Sequence, residues 1–192
     1  MTGWLLAGER AGGEAASLSP EAALTQMVEQ YSGALYRVAY SVTRHRAEAE
    51  DAVQETFMRV WKNRDKLPAI RDARVWLVRI TWNVVLDRKR RSKVRPETDD
   101  VDEMARTLAS KALSAEREVM AAEGYRRMLA AIDGLPRKER ECILLSAVEE
   151  WSHAEIAAVL GTSESSVRSR LFRARKLLAP VLAASAKGEV RG

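Results

Sequence analysis

The sequence predicts an all-α protein built as two small helical domains. Three observations carry that reading. Helix formers dominate the 192 residues, with only 10 Gly and 5 Pro among them. Apolar residues recur at three- and four-residue steps, and no stretch of useful length alternates like a strand. Charge is segregated into blocks. Domains this small bury little core each, so contacts with partners add to their stability.

The elements follow in chain order. Residues 1–19 are rich in Gly, Ala and Ser without a sustained period, which predicts a disordered N-terminal tail. Its patch Trp4-Leu5-Leu6-Ala7 has no basic residue ahead of it and is too short for a signal peptide or a membrane span. A cytoplasmic protein without membrane insertion is expected. Ser19-Pro20-Glu21 is a helix start, with Ser as N-cap and Pro at the first helical position. That helix is expected to reach about Arg44, with Leu24, Val28, Tyr31, Leu35, Val38 and Val42 on its inner face.

The next helix, about Arg46 to Arg64, has the clearest period. Ala49, Ala52, Val53, Thr56, Phe57, Val60 and Trp61 form one stripe. A loop follows Leu67-Pro68 to about Arg71. A third helix, about Asp72 to Arg91, sets Trp76, Leu77, Ile80, Val84 and the stem of Arg88 toward a core. The first domain is thus 20–92. Residues 93–113 form a flexible acidic connector, broken by Pro96, and the second domain is 114–182. It holds helices at about 115–132, 137–148, 153–160 and 164–182, and 183–192 is a C-terminal tail. Ser152 and Glu155 have the spacing of a capping box, and Gly161 supplies a tight turn.

Charge locates the surfaces. Nine basic residues against two acids lie between Arg71 and Arg95, whereas 96–118 carries seven acids against three bases. A basic block at a helix end suits a phosphate backbone; taken by itself, a solvated helix face explains it better. Cys142 sits in the apolar run Cys142-Ile143-Leu144-Leu145 and reads as buried filler. With only His45 and His153 besides, no metal-ligand cluster is expected. No P-loop, no carboxylate cluster beside a His and no nucleophile with its base are found. The reading is therefore not an enzyme, and it needs no cofactor.

Three motifs carry function. Residues 151–178 read as a helix-turn-helix: a short amphipathic helix, a glycine turn and a basic helix. Ile156, Ala157, Leu160, Val167, Leu171 and Ala174 pack between the two helices. Ser165, Arg168, Ser169, Phe172 and Arg173 are left pointing outward, as a major-groove reader needs. A plain helical hairpin with a solvated Arg face is the competing reading. On the second helix of the chain, Glu48, Glu50, Asp51, Gln54 and Glu55 lie off the apolar stripe. They form either a solvated face or a docking surface for a basic partner helix. On the third helix, aromatics and Asn83 interleave with basic residues, which suits unpaired bases on a charged backbone. There Trp76 reads as core, and Trp82 is either exposed or peripherally packed.

In this order the motifs AEAEDAVQETFMRVW, WLVRITWNVVLDRKRR and LPRKERECILLSAVEEWSHAEIAAVLGTSESSVRSRLFRARKLL resemble the sigma-70 family of RNA polymerase sigma factors, from about Ala23 to Leu178. The first two look like conserved region 2 and the last like region 4. The lack of room for region 3 or a long region 1.1 resembles the extracytoplasmic-function (ECF) group.

The resemblance implies an alternative sigma factor that binds core polymerase and recognises −35 and −10 promoter elements. Glu50, Asp51, Gln54 and Glu55 would bind the β′ clamp helices. The loop from about Asn63 to Asp72 and Asn83 would capture a −10 base, with Arg88, Lys89, Arg90 and Arg91 on the adjoining backbone. Ser165, Arg168, Ser169, Phe172 and Arg173 would read the −35 element. Region 4 would also dock on the β flap, and the acidic connector would run near the RNA exit path. An anti-sigma factor is an expected partner in many relatives. Two departures stand out: Trp82 occupies a position that is small or basic in many relatives, and the 63–74 loop lacks a common aromatic. The alternative is a free-standing helix-turn-helix regulator that binds duplex DNA without polymerase.

Overall fold

The computed structural model describes residues 19–92, 115–148 and 150–189. The expected connector at 93–113 and nearly all of the expected N-terminal tail lie outside them. Every regular element among the described residues is helical.

Helix α1 spans Pro20–Thr43, and its start is the one expected: Ser19 Oγ accepts from the Ala22 amide at 3.2 Å, with Pro20 opening the helix. Arg44 ends it in the left-handed conformation, φ 53°. Its inner face is Ala23, Met27, Leu35, Val38, Ala39 and Val42. Val28 does not belong to it and is exposed, because one residue is 100° of helical turn and Met27 already holds the inward position.

Helix α2 spans Arg46–Lys62, and the Glu48 amide donates to its N-cap, His45 Nδ1, at 3.4 Å. Ala49, Ala52, Thr56 and Val60 are buried, with Val53 and Phe57 half-buried against them. Trp61 falls outside the stripe, one step past Val60. It stands at the edge with the Arg64 guanidinium 4.8 Å from its ring centroid. The expected loop contains a short 3-10 helix, Arg64–Ala69, anchored by buried Leu67.

Helix α3 spans Ala73–Ser92. Leu77, Val78, Thr81, Trp82, Val84 and Val85 are all buried, more than one stripe can hold. The reason is that α3 is covered on two sides, by α1 and α2 and by the second module. Trp82 is therefore core, 3% exposed. It lines a cleft between the modules with Leu86 and Leu144.

The second module comprises α4 (Ala115–Asp133), α5 (Arg137–Val148), α6 (His153–Leu160) and α7 (Glu164–Glu189). Helix α7 continues through Pro180 to Glu189, so most of the expected tail at 183–192 is helical. The Ser152–Glu155 capping box is complete: Ser152 Oγ accepts from the Glu155 amide at 3.2 Å, and Glu155 accepts from the Ser152 amide at 2.8 Å. Gly161 closes α6 at φ 63°, where a Cβ would be strained. Cys142 is fully buried among the apolar side chains, and burial pushes its thiol above the ordinary range.

The two modules share one apolar core. Met27, Leu35 and Leu77 of the first belong to the same cluster as Cys142, Leu145 and Ile156 of the second. Two polar contacts flank it. Arg44 forks onto the Asp133 carboxylate, with one arm at 2.9 Å. Arg74 lies 4.0 Å from the Trp151 ring centroid and 3.5 Å from Glu155. The modules expected as independent units are thus packed side by side.

Leu145 is 1% exposed in this core. Leu145→Ala is expected to cost about 2–5 kcal/mol, measured as a lowered urea midpoint with unchanged slope.

Candidate functional site

The functional candidates lie on faces left over once each helix has turned its apolar side inward. On α2 those are Glu50, Asp51 and Gln54, all exposed, with Glu55 half-buried beside them. Glu50 accepts from Arg46 at 2.9 Å, an i,i+4 pair on its own helix. With Gly33, Tyr36 and Arg37 of α1, Glu50, Val53 and Gln54 line a shallow groove. The four acidic-face residues are therefore together.

Glu55 is the most constrained of them. Arg59 donates to its Oε1 at 2.6 Å, and Arg88 donates to its Oε2 through Nε and Nη2, both at 3.0 Å. Burial alone would raise the Glu55 carboxyl, but hydrogen bonds from Arg88 and Arg59 outweigh it and hold the pKa below the ordinary value. Arg88 also reaches Asp51 Oδ2 at 3.5 Å.

The α2–α3 seam beneath this cluster places it. Thr56 and Thr81 are both fully buried. The Thr56 hydroxyl lies 2.8 Å from the Ala52 carbonyl of its own helix and 3.1 Å from the Thr81 hydroxyl, and Thr81 donates to the Leu77 carbonyl at 3.0 Å. Arg88 lies seven residues after Thr81, two helical turns along the same side, so it emerges where the seam ends.

The basic block on α3 does not form a single patch. Consecutive residues are 100° apart on a helix, so four in a row point four ways. Arg88 faces α2. Lys89 reaches back to the Val42 carbonyl of α1 at 3.4 Å. Arg90 pairs with Asp87 at 3.3 Å on its own helix, and Arg91 is exposed. Asn83 is exposed, one turn from exposed Arg79 and two from Arg90.

On α7, Val167, Leu171, Ala174 and Leu178 are buried at i, i+4, i+7 and i+11. Ser165, Arg168, Ser169, Phe172 and Arg173 all point outward, as the spacing predicts. Phe172 is 70% exposed, a large apolar side chain that folding does not use. Arg168 is tethered to Glu164 at 2.8 Å, and Arg173 to the buried Glu139 of α5 at 2.8 Å. The hydrogen bond from Arg173 outweighs burial and lowers the Glu139 pKa. Beside this face, Lys138 and Arg170 join Ser165, Ser169 and Arg173 around one open groove. Sequence periodicity passed over Lys138 because it lies on α5; the Arg137-Lys138 pair opening that helix was the only signal.

The comparisons with known proteins follow the same division. The family model for Sigma-70 region 2 matches residues 27–95, and that for Sigma-70, region 4 matches 125–178. The ECF RNA polymerase sigma factor SigL of Mycobacterium tuberculosis is 33% identical over 160 residues, which cover 82% of this chain and 88% of SigL. The ECF sigma factor SigE of Mycolicibacterium smegmatis is 33% identical over 162 residues, covering 82% of this chain; the match spans 61% of SigE's length. Among solved structures, CnrH in complex with the cytosolic domain of CnrY is similar, with a TM-score of 0.61 and 29% identity. The match covers 85% of this chain and 90% of that one.

The lowered Glu55 pKa gives the Arg88–Glu55–Arg59 cluster a pH signature. A depressed carboxyl contributes stability above its unfolded pKa, about 4.3 for Glu. That contribution fades as pH falls through the folded value. The urea-midpoint gap between the wild type and Glu55→Gln is therefore expected to be widest at neutral pH and to close in acid.

Proposed function

Because the chain belongs to the sigma-70 family, in its ECF group, we propose that its exposed faces divide the work of an alternative sigma factor in transcription initiation. One observation carries this reading. Both family regions occur in order in one chain, and each falls on a module with an unspent polar face of matching chemistry. The module at 20–92 is the polymerase-binding and −10 unit, and that at 114–182 is the −35 unit.

On α2, Glu50, Asp51, Gln54 and Glu55 present negative charge to a basic helix of the core enzyme, the β′ clamp in this reading. Charge complementarity there sets orientation and association rate. On α3, Asn83 and the cations after it take the −10 strand, where a trapped base offsets the few kcal/mol lost on unstacking. On α7, Arg168 and Arg173 read base edges or clamp phosphates, Ser169 assists, and Phe172 meets a thymine methyl. The polymerase is the catalyst, and this chain contributes recognition and strand opening. Its place of action is the cytoplasm, with the enzyme it serves.

Packing supplies a geometric condition. The −35 and −10 elements lie about 25 base pairs apart, roughly 85 Å of duplex at 3.4 Å per base pair. Here α6 packs on α3 and α7 packs on α6, which sets α7 about 20 Å from α3 at ordinary helix spacing. Both elements cannot be read at once from this arrangement, so the modules separate on the polymerase. The segment between them, residues 93–114, has a contour of about 75 Å at most. Core enzyme then holds the two modules at fixed spacing and combines their affinities by effective concentration.

Run-off transcription with core polymerase on genomic fragments tests the function. New start sites that need this chain are expected; specific duplex binding by the chain alone, with no effect on polymerase, would favour the free-standing regulator. Arg168→Ala and Arg173→Ala are each expected to weaken −35-dependent initiation by about 1–3 kcal/mol if they contact bases. Asp51→Lys with Glu55→Lys is expected to lower the amount of core polymerase retained in a pull-down.

A further inference from the structure

One residue belongs to two of the faces above. Arg88 lies in the basic run assigned to promoter backbone, yet its guanidinium is spent on the acids assigned to polymerase. It donates twice to Glu55 at 3.0 Å and reaches Asp51 at 3.5 Å. The Arg88 and Glu55 side chains are each about one-third exposed, so a partner can reach the pair and neither ion is locked in the core.

We propose that Arg88 is an exchangeable internal partner: it masks Glu55 and reaches Asp51 in the free chain, and a basic polymerase helix that docks there releases it to the promoter backbone. This inference rests on the polymerase-docking reading of α2.

The chemistry favours exchange. An arginine fork on a carboxylate is the same contact that a basic partner helix would make. Glu55 Oε2 already accepts two hydrogen bonds from Arg88, at 3.0 Å each, and Oε1 is held by Arg59 at 2.6 Å. The incoming cation therefore competes with Arg88 in particular. Once displaced, Arg88 still sits on α3, beside Lys89, Arg90 and Arg91, at the end assigned to the −10 strand. Its long stem lets the head group swing without moving the helix. Two of the three neighbouring cations have other contacts in the free chain, Lys89 on a carbonyl and Arg90 on Asp87. Arg88 is held by the docking acids Asp51 and Glu55.

The test uses the full chain and core polymerase. Arg88→Gln removes the competitor and retains a polar side chain; a thermal melt confirms that the variant folds. The variant is expected to bind core polymerase about two- to fivefold tighter than wild type, the size of a partly exposed ion pair. Holoenzyme made with it is expected to show a promoter-binding salt dependence reduced by about one unit of slope, the loss of a phosphate contact. Arg88→Lys, which keeps charge without the fork, is expected to restore the slope. Weaker core binding by Arg88→Gln would make Arg88 a prop for the docking face and overturn the proposal. Tighter core binding with an unchanged salt slope would refute the transfer to DNA. If wild type itself fails to bind core polymerase, the docking reading fails first, and this inference with it.

Discussion

The seam between α2 and α3 is the contact on which the rest of the first module depends. Its two hydroxyls, Thr56 and Thr81, are fully buried, 3.1 Å apart, each within hydrogen-bond reach of a carbonyl of its own helix. An unpaired hydroxyl there would cost more than the pair contributes, so the seam has one good register. That register fixes which residues come out at its rim. On the α2 side they are acids, and on the α3 side the first is Arg88. Folding and function therefore meet at one line: the apolar side of each helix closes the seam, and the polar side inherits its alignment.

The second module obeys the same rule with a different surplus. Helix α7 uses Val167, Leu171, Ala174 and Leu178 for packing and turns an arginine-and-phenylalanine face outward, on which Phe172 has no folding role. Its arginines are not idle in the free chain. Arg168 and Arg173 are held in place by Glu164 and Glu139, an ordering that lowers the entropy cost of the −35 contact proposed for them. The same logic holds for Arg88. Arg168 and Arg88, tethered to the exposed Glu164 and the half-buried Glu55, keep their positions and remain reachable by a stronger anion.

Much of this was legible in the sequence. Capped helix boundaries were, because caps and turn residues are local: Ser19-Pro20, the Ser152–Glu155 box and Gly161 act where they stand; the end of α7 was not, and the helix runs on to Glu189. The outward set on α7 was also legible, since buried positions four apart dictate their complement. What was not legible depended on contacts distant in the chain. Trp82 is core because the second module covers α3, and periodicity within α3 says nothing of that cover. Val28 and Trp61 miss their stripes by a single residue, a rotation that only real packing decides. The run Arg88-Lys89-Arg90-Arg91 looks like one patch in a line of text, yet the helix spreads it over four directions. The packed association of the modules was the largest surprise, and the Arg74–Trp151–Glu155 contact that flanks it joins residues some 80 positions apart.

That association also frames how the chain works. Packed, the chain has one continuous core and two outward polar faces; in the function proposed for it, separation on polymerase exchanges the internal contacts for the enzyme and the promoter. The central claim is that neither module opens DNA until both are held by core polymerase. Permanganate reactivity of the −10 thymines on a promoter selected by run-off transcription tests it most directly. The account predicts reactive thymines only when chain and core polymerase are both present. Reactivity with the chain alone, or none with both, would contradict it.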